Sequence, residues 1–125
     1  YDSNTALLVG DIMVIRAYEY LQPIQSNHLS KILGLFNQTA REVCEGQQWD
    51  VDFEQRDDVT IPEYLKMIEY KTAVLVGAAM KMGAIVAGTT VENADLIYDF
   101  GLNLGIAFQL QDEVQRLVDD LRERV

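Results

Sequence analysis

An all-α fold, an antiparallel bundle of long helices, is predicted for this chain from three observations. Apolar residues recur at spacings of three and four over most of the sequence. Only two prolines, at positions 23 and 62, interrupt the 125 residues. Long stretches also lack the clusters of turn-forming residues that would divide them into strands or short loops. With 49% of its residues apolar, the chain is long enough to bury a core, and residues 1–125 read as a single helical domain. Asp and Glu number 20 against 10 Lys and Arg, giving a formal charge of -10, and a surface so acidic repels nucleic acid and anionic lipid.

The first helix is predicted to start at an N-cap of Ser3 or Asn4 and to stop near Gln22 because Pro23 follows. Its middle, ALLVGDIMVIRAY, is apolar nearly all round, the pattern of a buried helix, so Asp11, if buried, must be paired, hydrogen-bonded or protonated and has either a structural partner or a site role. The second helix opens after Ser26 or Asn27. Its stripe of Leu29, Ile32, Leu33, Phe36, Ala40 and Val43 continues into Gln47 and Asp50, aiming an amide and a carboxylate inward beside Gly46. Trp49 reads as a packing anchor, and Cys44, the one cysteine, as a buried thiol in a reducing, cytosolic setting.

The charged, aperiodic stretch Val51–Asp58 is expected to be a surface loop. Thr60, Pro62 and Glu63 then form a capping box for a helix with an inward stripe of Ile61, Leu65, Ile68, Thr72, Leu75, Ala79, Met82 and Val86. Lys71 lies beside Thr72. Ala73, Gly77, Ala84 and Gly88 offer a smooth second face for close helix packing. Its most apolar run, from Ala73 to Gly88, is too short to cross a bilayer and carries Lys81 in its middle. Gly88, Thr89 and Thr90 end this helix, and the last one opens near Glu92.

In that last helix Gly101, Gly105, Phe108 and Asp112 share a face, with Gln109 one turn from Asp112 and Glu113. Glycines a turn apart weaken a helix by about 1 kcal/mol each relative to alanine, so a backbone or ligand must approach closely there. Residues 114–125 form an amphipathic tail, with Val114, Leu117, Val118, Leu121 and Val125 on one side. Three polar intrusions thus stand on three long helices: Gln47 with Asp50, Lys71 with Thr72, and Gln109 with Asp112 and Glu113. They are expected to converge on one hollow between packed helices.

At these residues the sequence resembles the trans-isoprenyl diphosphate synthases, or polyprenyl synthetases. The resemblance is carried by Leu7 to Asp11 as an LxxGD-like element, by Gly46, Gln47 and Asp50 as GQxxD, by Lys71-Thr72 as KT, and by Phe108 to Glu113 as FQxxDD. It implies an isoprenoid-synthase-type fold, and a reaction in which an allylic diphosphate ionises with Mg²⁺ help and isopentenyl diphosphate attacks the cation. It further implies Asp112 and Glu113 as metal ligands, Lys71 on the diphosphate, Thr72 and Gln109 where the cation develops, and Gln47 and Asp50 in the pocket wall. A homodimer or higher oligomer follows from the same resemblance.

Two departures set further expectations. The first aspartate-rich motif of the family has no counterpart in this sequence, which resembles the part of the family downstream of it, and Arg116 stands where a third acid of the second motif belongs. The chain is therefore expected to be a prenyltransferase core fragment, inactive by itself, with Mg²⁺ binding weak or lost. The alternative is a non-catalytic helical scaffold or assembly module, natural or engineered, an idea prompted by the regular Arg, Asp and Leu of the tail.

Overall fold

The computed structural model describes residues 2–124. The chain is helical almost throughout: α1 (Ser3–Leu21), α2 (Ser26–Phe53), α3 (Ile61–Ile68), a π-helical turn (Glu69–Ala73), α4 (Val74–Val86) and α5 (Val91–Glu123). Because α3, the π turn and α4 follow one another without a break, the architecture reduces to four long helices, of which the continuous third one runs antiparallel to α2 and to α5. No described helix is long and apolar enough to cross a membrane.

Local signals set most of the boundaries. Asp2, rather than Ser3 or Asn4, caps α1 by accepting the Thr5 amide at 2.8 Å. Helix α2 runs on to Phe53, so the expected loop from Val51 shortens to the segment 54–60. There Arg56 bonds Asp58 at 2.8 Å and Glu63 at 3.2 Å. Thr60 and Glu63 form the reciprocal capping box, Glu63 accepting the Thr60 amide at 2.8 Å. Gly88, with φ of 77°, ends α4. The Gly88 and Thr89 amides reach back to Ile85 and Ala84, the paired bonds of a Schellman motif that the left-handed glycine makes possible. Thr90 then caps α5 by accepting the Asn93 amide at 3.2 Å.

The core lies where α2, the π turn, α4 and α5 meet, around Ile32, Met67, Ile68, Ala73, Val74, Ala78 and Ala94. Its composition corrects the expected stripe of the third helix. A π turn carries one residue more than an α turn, which rotates everything after it. Beyond Ile68 the buried positions are accordingly Ala73, Val74, Gly77 and Ala78, while Leu75 and Val86 stay exposed. The smooth small-residue face therefore does the packing.

Helix α1 departs furthest from expectation. It buries no residue, and Leu7, Leu8, Ile12, Met13 and Ile15 are each more than half exposed. Its described contacts are to α2 alone, chiefly a Tyr18 hydroxyl donating to Asn37 at 2.6 Å and an edge-on Tyr18–Phe36 pair with centroids 4.8 Å apart. Asp11 is exposed and makes no ion pair among the described residues, so the partner that burial would demand is not required. Cys44 is exposed as well, contrary to the expected buried thiol, because α2 turns its other side to the core.

Candidate functional site

The site is built on a close approach of two backbones. A Cβ at Gly46 would lie 2.7 Å from the Tyr70 carbonyl carbon and nearer still to the Lys71 amide, so only glycine lets α2 rest on the π turn here. One turn further along α2, Asp50 receives the Lys71 ammonium at 2.7 Å. On the other side, Gly105 of α5 would bring a Cβ to 2.6 Å from the Ala73 Cα. One turn beyond it stands Gln109, which is 9% exposed. The two glycines thus fix the heights at which Asp50 and Gln109 face the π turn.

Within that turn, consecutive side chains reach different helices. Lys71 goes to Asp50 on α2, while Thr72 donates its hydroxyl to Gln109 Oε1 on α5 at 2.9 Å. Gln109 Nε2 in turn donates to Glu113 Oε1 at 3.0 Å. These two bonds fix the amide: its NH₂ must face the carboxylate, which leaves its oxygen toward Thr72. Lys71 keeps two of its three N–H donors for a ligand, since Asp50 takes one.

The carboxylates differ in state. Asp112 is bonded by Arg116 one turn on, at 2.8 Å. Burial, and then the neighbouring Asp50 charge, push the Glu113 carboxyl above the ordinary glutamate value, with Arg116 pulling the other way. Magnesium takes oxygen ligands and is commonly held by one or two carboxylates together with substrate phosphate oxygens. Asp112 and Glu113 can supply that minimum. No group of three or more Asp, Glu, His or Cys side chains among the described residues stands ready to hold an ion.

Of the seven residues singled out in the sequence, Asp50, Lys71, Thr72, Gln109 and Glu113 lie together, Asp50 bonded to Lys71 and the adjacent Thr72 linked through Gln109 to Glu113. Asp112 joins them through its neighbour in sequence and through its pair with Arg116. Gln47 does not: it is exposed and makes no side-chain hydrogen bond among the described residues. The buried line of α2 is Ile32, Thr39 and Gly46, at steps of seven, and Gln47 lies a third of a turn away from it. Phe108 is likewise turned out, 64% exposed, while Gly101, Gly105 and Gln109 form the packed face of α5.

The expected hollow is formed only in part, since the clusters meet by direct bonding while the clefts open beside them. One of about 380 Å³ is lined by Trp49, Phe53, Arg56 and Lys66. Another, of about 400 Å³ and almost wholly apolar, runs between α2 and α4 past Phe36, Val43, Leu75 and Met82. Trp49 stacks on Tyr70 with centroids 5.1 Å apart and serves as the packing anchor anticipated. What the sequence reading missed is the π turn and the direct Asp50–Lys71 pair. The only advance signal for them was Gly46, a small residue placed one turn before an acid.

Comparison with known proteins adds an independent line. The family model described as polyprenyl synthetase matches residues 1–123. The geranylfarnesyl diphosphate synthase of Natronomonas pharaonis is 43% identical over 116 residues, covering 91% of this chain and 34% of that protein. The geranylgeranyl diphosphate synthase of Methanosarcina mazei is 40% identical over 111 residues, covering 87% of this chain and 34% of that one. Among solved structures, a geranylgeranyl pyrophosphate synthase superposes with a TM-score of 0.87 at 54% identity, over 90% of this chain and 35% of that chain. The geranylgeranyl pyrophosphate synthetase from Pyrococcus horikoshii gives 0.85 at 36% identity, over 89% and 35%. The chain spans about a third of the length of these relatives.

Proposed function

The chain belongs to the polyprenyl synthetase family, and from that premise we propose that it forms one wall of a trans-prenyl diphosphate synthase site, the wall that receives diphosphate and faces the developing cation. In the reaction proposed, the C–O bond of an allylic diphosphate breaks and its electron pair leaves with the diphosphate. The double bond of isopentenyl diphosphate then attacks the allylic carbon, forming a C–C bond, and the resulting cation loses a proton to the departed diphosphate. The observation that carries this reading is the bonded path from Asp50 through Lys71, and from Thr72 through Gln109 to Glu113.

Each residue has a physical role in that proposal. Lys71 meets the diphosphate with its two remaining donors, and Asp50 holds the ammonium in place. The oxygens of Thr72 and Gln109 point their negative ends at the allylic cation, and such fixed dipoles act strongly in a site that excludes water. Magnesium bound at Asp112 and Glu113 would offset charge on the leaving diphosphate. For these 125 residues alone we propose no turnover and weak Mg²⁺ binding, because Arg116 already engages Asp112 and Gln109 engages Glu113.

A cytosolic location and a homodimer, or a higher oligomer, complete the proposal. The dimer is supported by the exposed apolar side of α1, which also favours the second reading, a non-catalytic assembly module. Calorimetric titration with a non-hydrolysable isoprenoid diphosphate, with and without Mg²⁺, separates the two. A remnant site gives binding that weakens at least tenfold in Lys71→Ala, and silence at millimolar ligand leaves the assembly module. Product formation by the pure chain from allylic and isopentenyl diphosphates overturns the claim of inactivity.

A further inference from the structure

A third cleft, of about 410 Å³, opens at the end of the bundle formed by the start of α2, the end of α4 and the start of α5. It shares no lining residue with the proposed diphosphate wall, and its chemistry is unusual for this chain. Acids make up 20 of the 125 residues, yet none lines this cleft, which instead holds Lys31, Lys81 and the sole histidine, His28. The Lys81 ammonium is bonded to Asp95 at 2.7 Å, outside the lining. Lys31 makes no ion pair among the described residues, so its charge is free to meet a ligand. Leu35, Ile85 and Val91 supply an apolar wall opposite these polar groups.

From this we infer that the cleft binds a small organic anion, an anionic head attached to a short hydrocarbon body, with Lys31 and His28 at the head and Leu35 and Ile85 along the body. The volume falls in the lower range of small-molecule sites, and an apolar wall with a few convergent polar groups is their usual make-up. Ammonium and imidazole N–H groups are donors suited to phosphate or carboxylate oxygens. The start of the 33-residue helix α5, whose Thr90 and Val91 line the cleft, adds partial positive charge there.

Hexyl phosphate serves as the probe, with inorganic phosphate and hexanol as the head and the body alone, titrated into the protein and followed by amide chemical shifts. Hexyl phosphate is expected to bind at least tenfold more tightly than either part, shifting residues around Gly34 and Thr90. Lys31→Glu should weaken it tenfold or more. Gly34→Leu tests the space without changing charge. Nothing lies within 4 Å of a Cβ at Gly34, so the leucine enters the cleft while favouring the helix, and it should also weaken binding at least tenfold. Leu8→Ser, on α1 and outside the lining of the cleft, should leave the affinity within twofold. Equal affinity for hexyl phosphate and inorganic phosphate, shifts centred on Lys71 and Asp112, or full binding by folded Gly34→Leu would each overturn the proposal.

Discussion

Helix α1 and the contact between α4 and α5 are opposites in composition and in behaviour. Helix α1 is rich in Leu, Ile, Val and Met and buries no residue, whereas the α4–α5 contact, with the π turn that leads into it, is built largely from Ala and Gly and brings backbones close together. A Cβ at Gly101 would sit 2.8 Å from the Gly77 Cα. Hydropathy says how much a side chain gains on leaving water, about 25 cal/mol per Å² of apolar surface. It does not supply the surface that covers it. Close packing requires a partner of complementary shape, and glycines provide one by letting two backbones touch.

The contrast can be broken first at the glycines. Gly46→Ala and Gly105→Ala each force a methyl group into a neighbouring backbone, where overpacking typically outweighs the gain in helix propensity. Each is expected to lower unfolding stability by about 2 kcal/mol, read from urea denaturation midpoints. A loss below about 0.5 kcal/mol would mean the two backbones separate easily and the close approach is not a constraint.

Next comes the polar link between the π turn and α5. Thr72→Val keeps the shape but leaves the Gln109 oxygen without its donor in a nearly buried position, at a cost of about 1 kcal/mol. The double variant with Gln109→Leu should recover part of that loss, because it removes the orphaned group. Additive losses in this cycle would dissolve the link.

On α1 the expectation is a change within about 0.5 kcal/mol, since Leu8→Ser removes a side chain that is 63% exposed. Sedimentation of the same variant sharpens the comparison. Dissociation of an oligomer present in the parent chain would show that a second copy supplies the cover that the described helices do not. An unchanged mass would assign the face elsewhere.

The smallest effect concerns pH. Burial and the Asp50 charge raise the Glu113 pKa above its ordinary value of 4.5, so the folded chain holds this proton more tightly than the unfolded one. Its contribution to stability is fully present below pH 4.5 and is lost as pH rises through the raised value. Glu113→Gln keeps an acceptor for Gln109 and removes the titration. Its thermal midpoint should exceed the parent's by about 2 °C at neutral pH, and the advantage should vanish under acid. Asp2, Asp58 and Glu63, held below their ordinary values by hydrogen bonds and, at Asp58 and Glu63, by Arg56, act in the opposite sense in both proteins and cancel in the difference.

Much of this was legible in advance, and the misses share a cause. The capping box at Thr60 and the stop at Gly88 were readable because each is a bond between residues at most five apart, and the last helix, expected to open near Glu92, starts at Val91 with Thr90 as its cap. Five of the seven site residues were readable as polar interruptions of apolar stripes, and they meet. Gln47 was misplaced by extending a 3.6-residue stripe along a helix buried at steps of seven, a drift that accumulates with length. The third helix was misread beyond Ile68 because one extra residue in a turn rotates all that follow.

By itself, the sequence determined that the chain is helical, roughly where most of its helices begin, and the order in which Asp50, Lys71, Thr72, Gln109 and Glu113 are strung along them. Hydrogen bonds along a helix and at its caps join near neighbours, so local composition suffices for that. Only the tertiary structure decided which side of each helix faces inward, that Lys71 and Thr72 reach two different helices, and that the apolar first helix is left without cover among the described residues. Those outcomes depend on the shape of whatever stands opposite, and no stretch of chain encodes the surface of its partner.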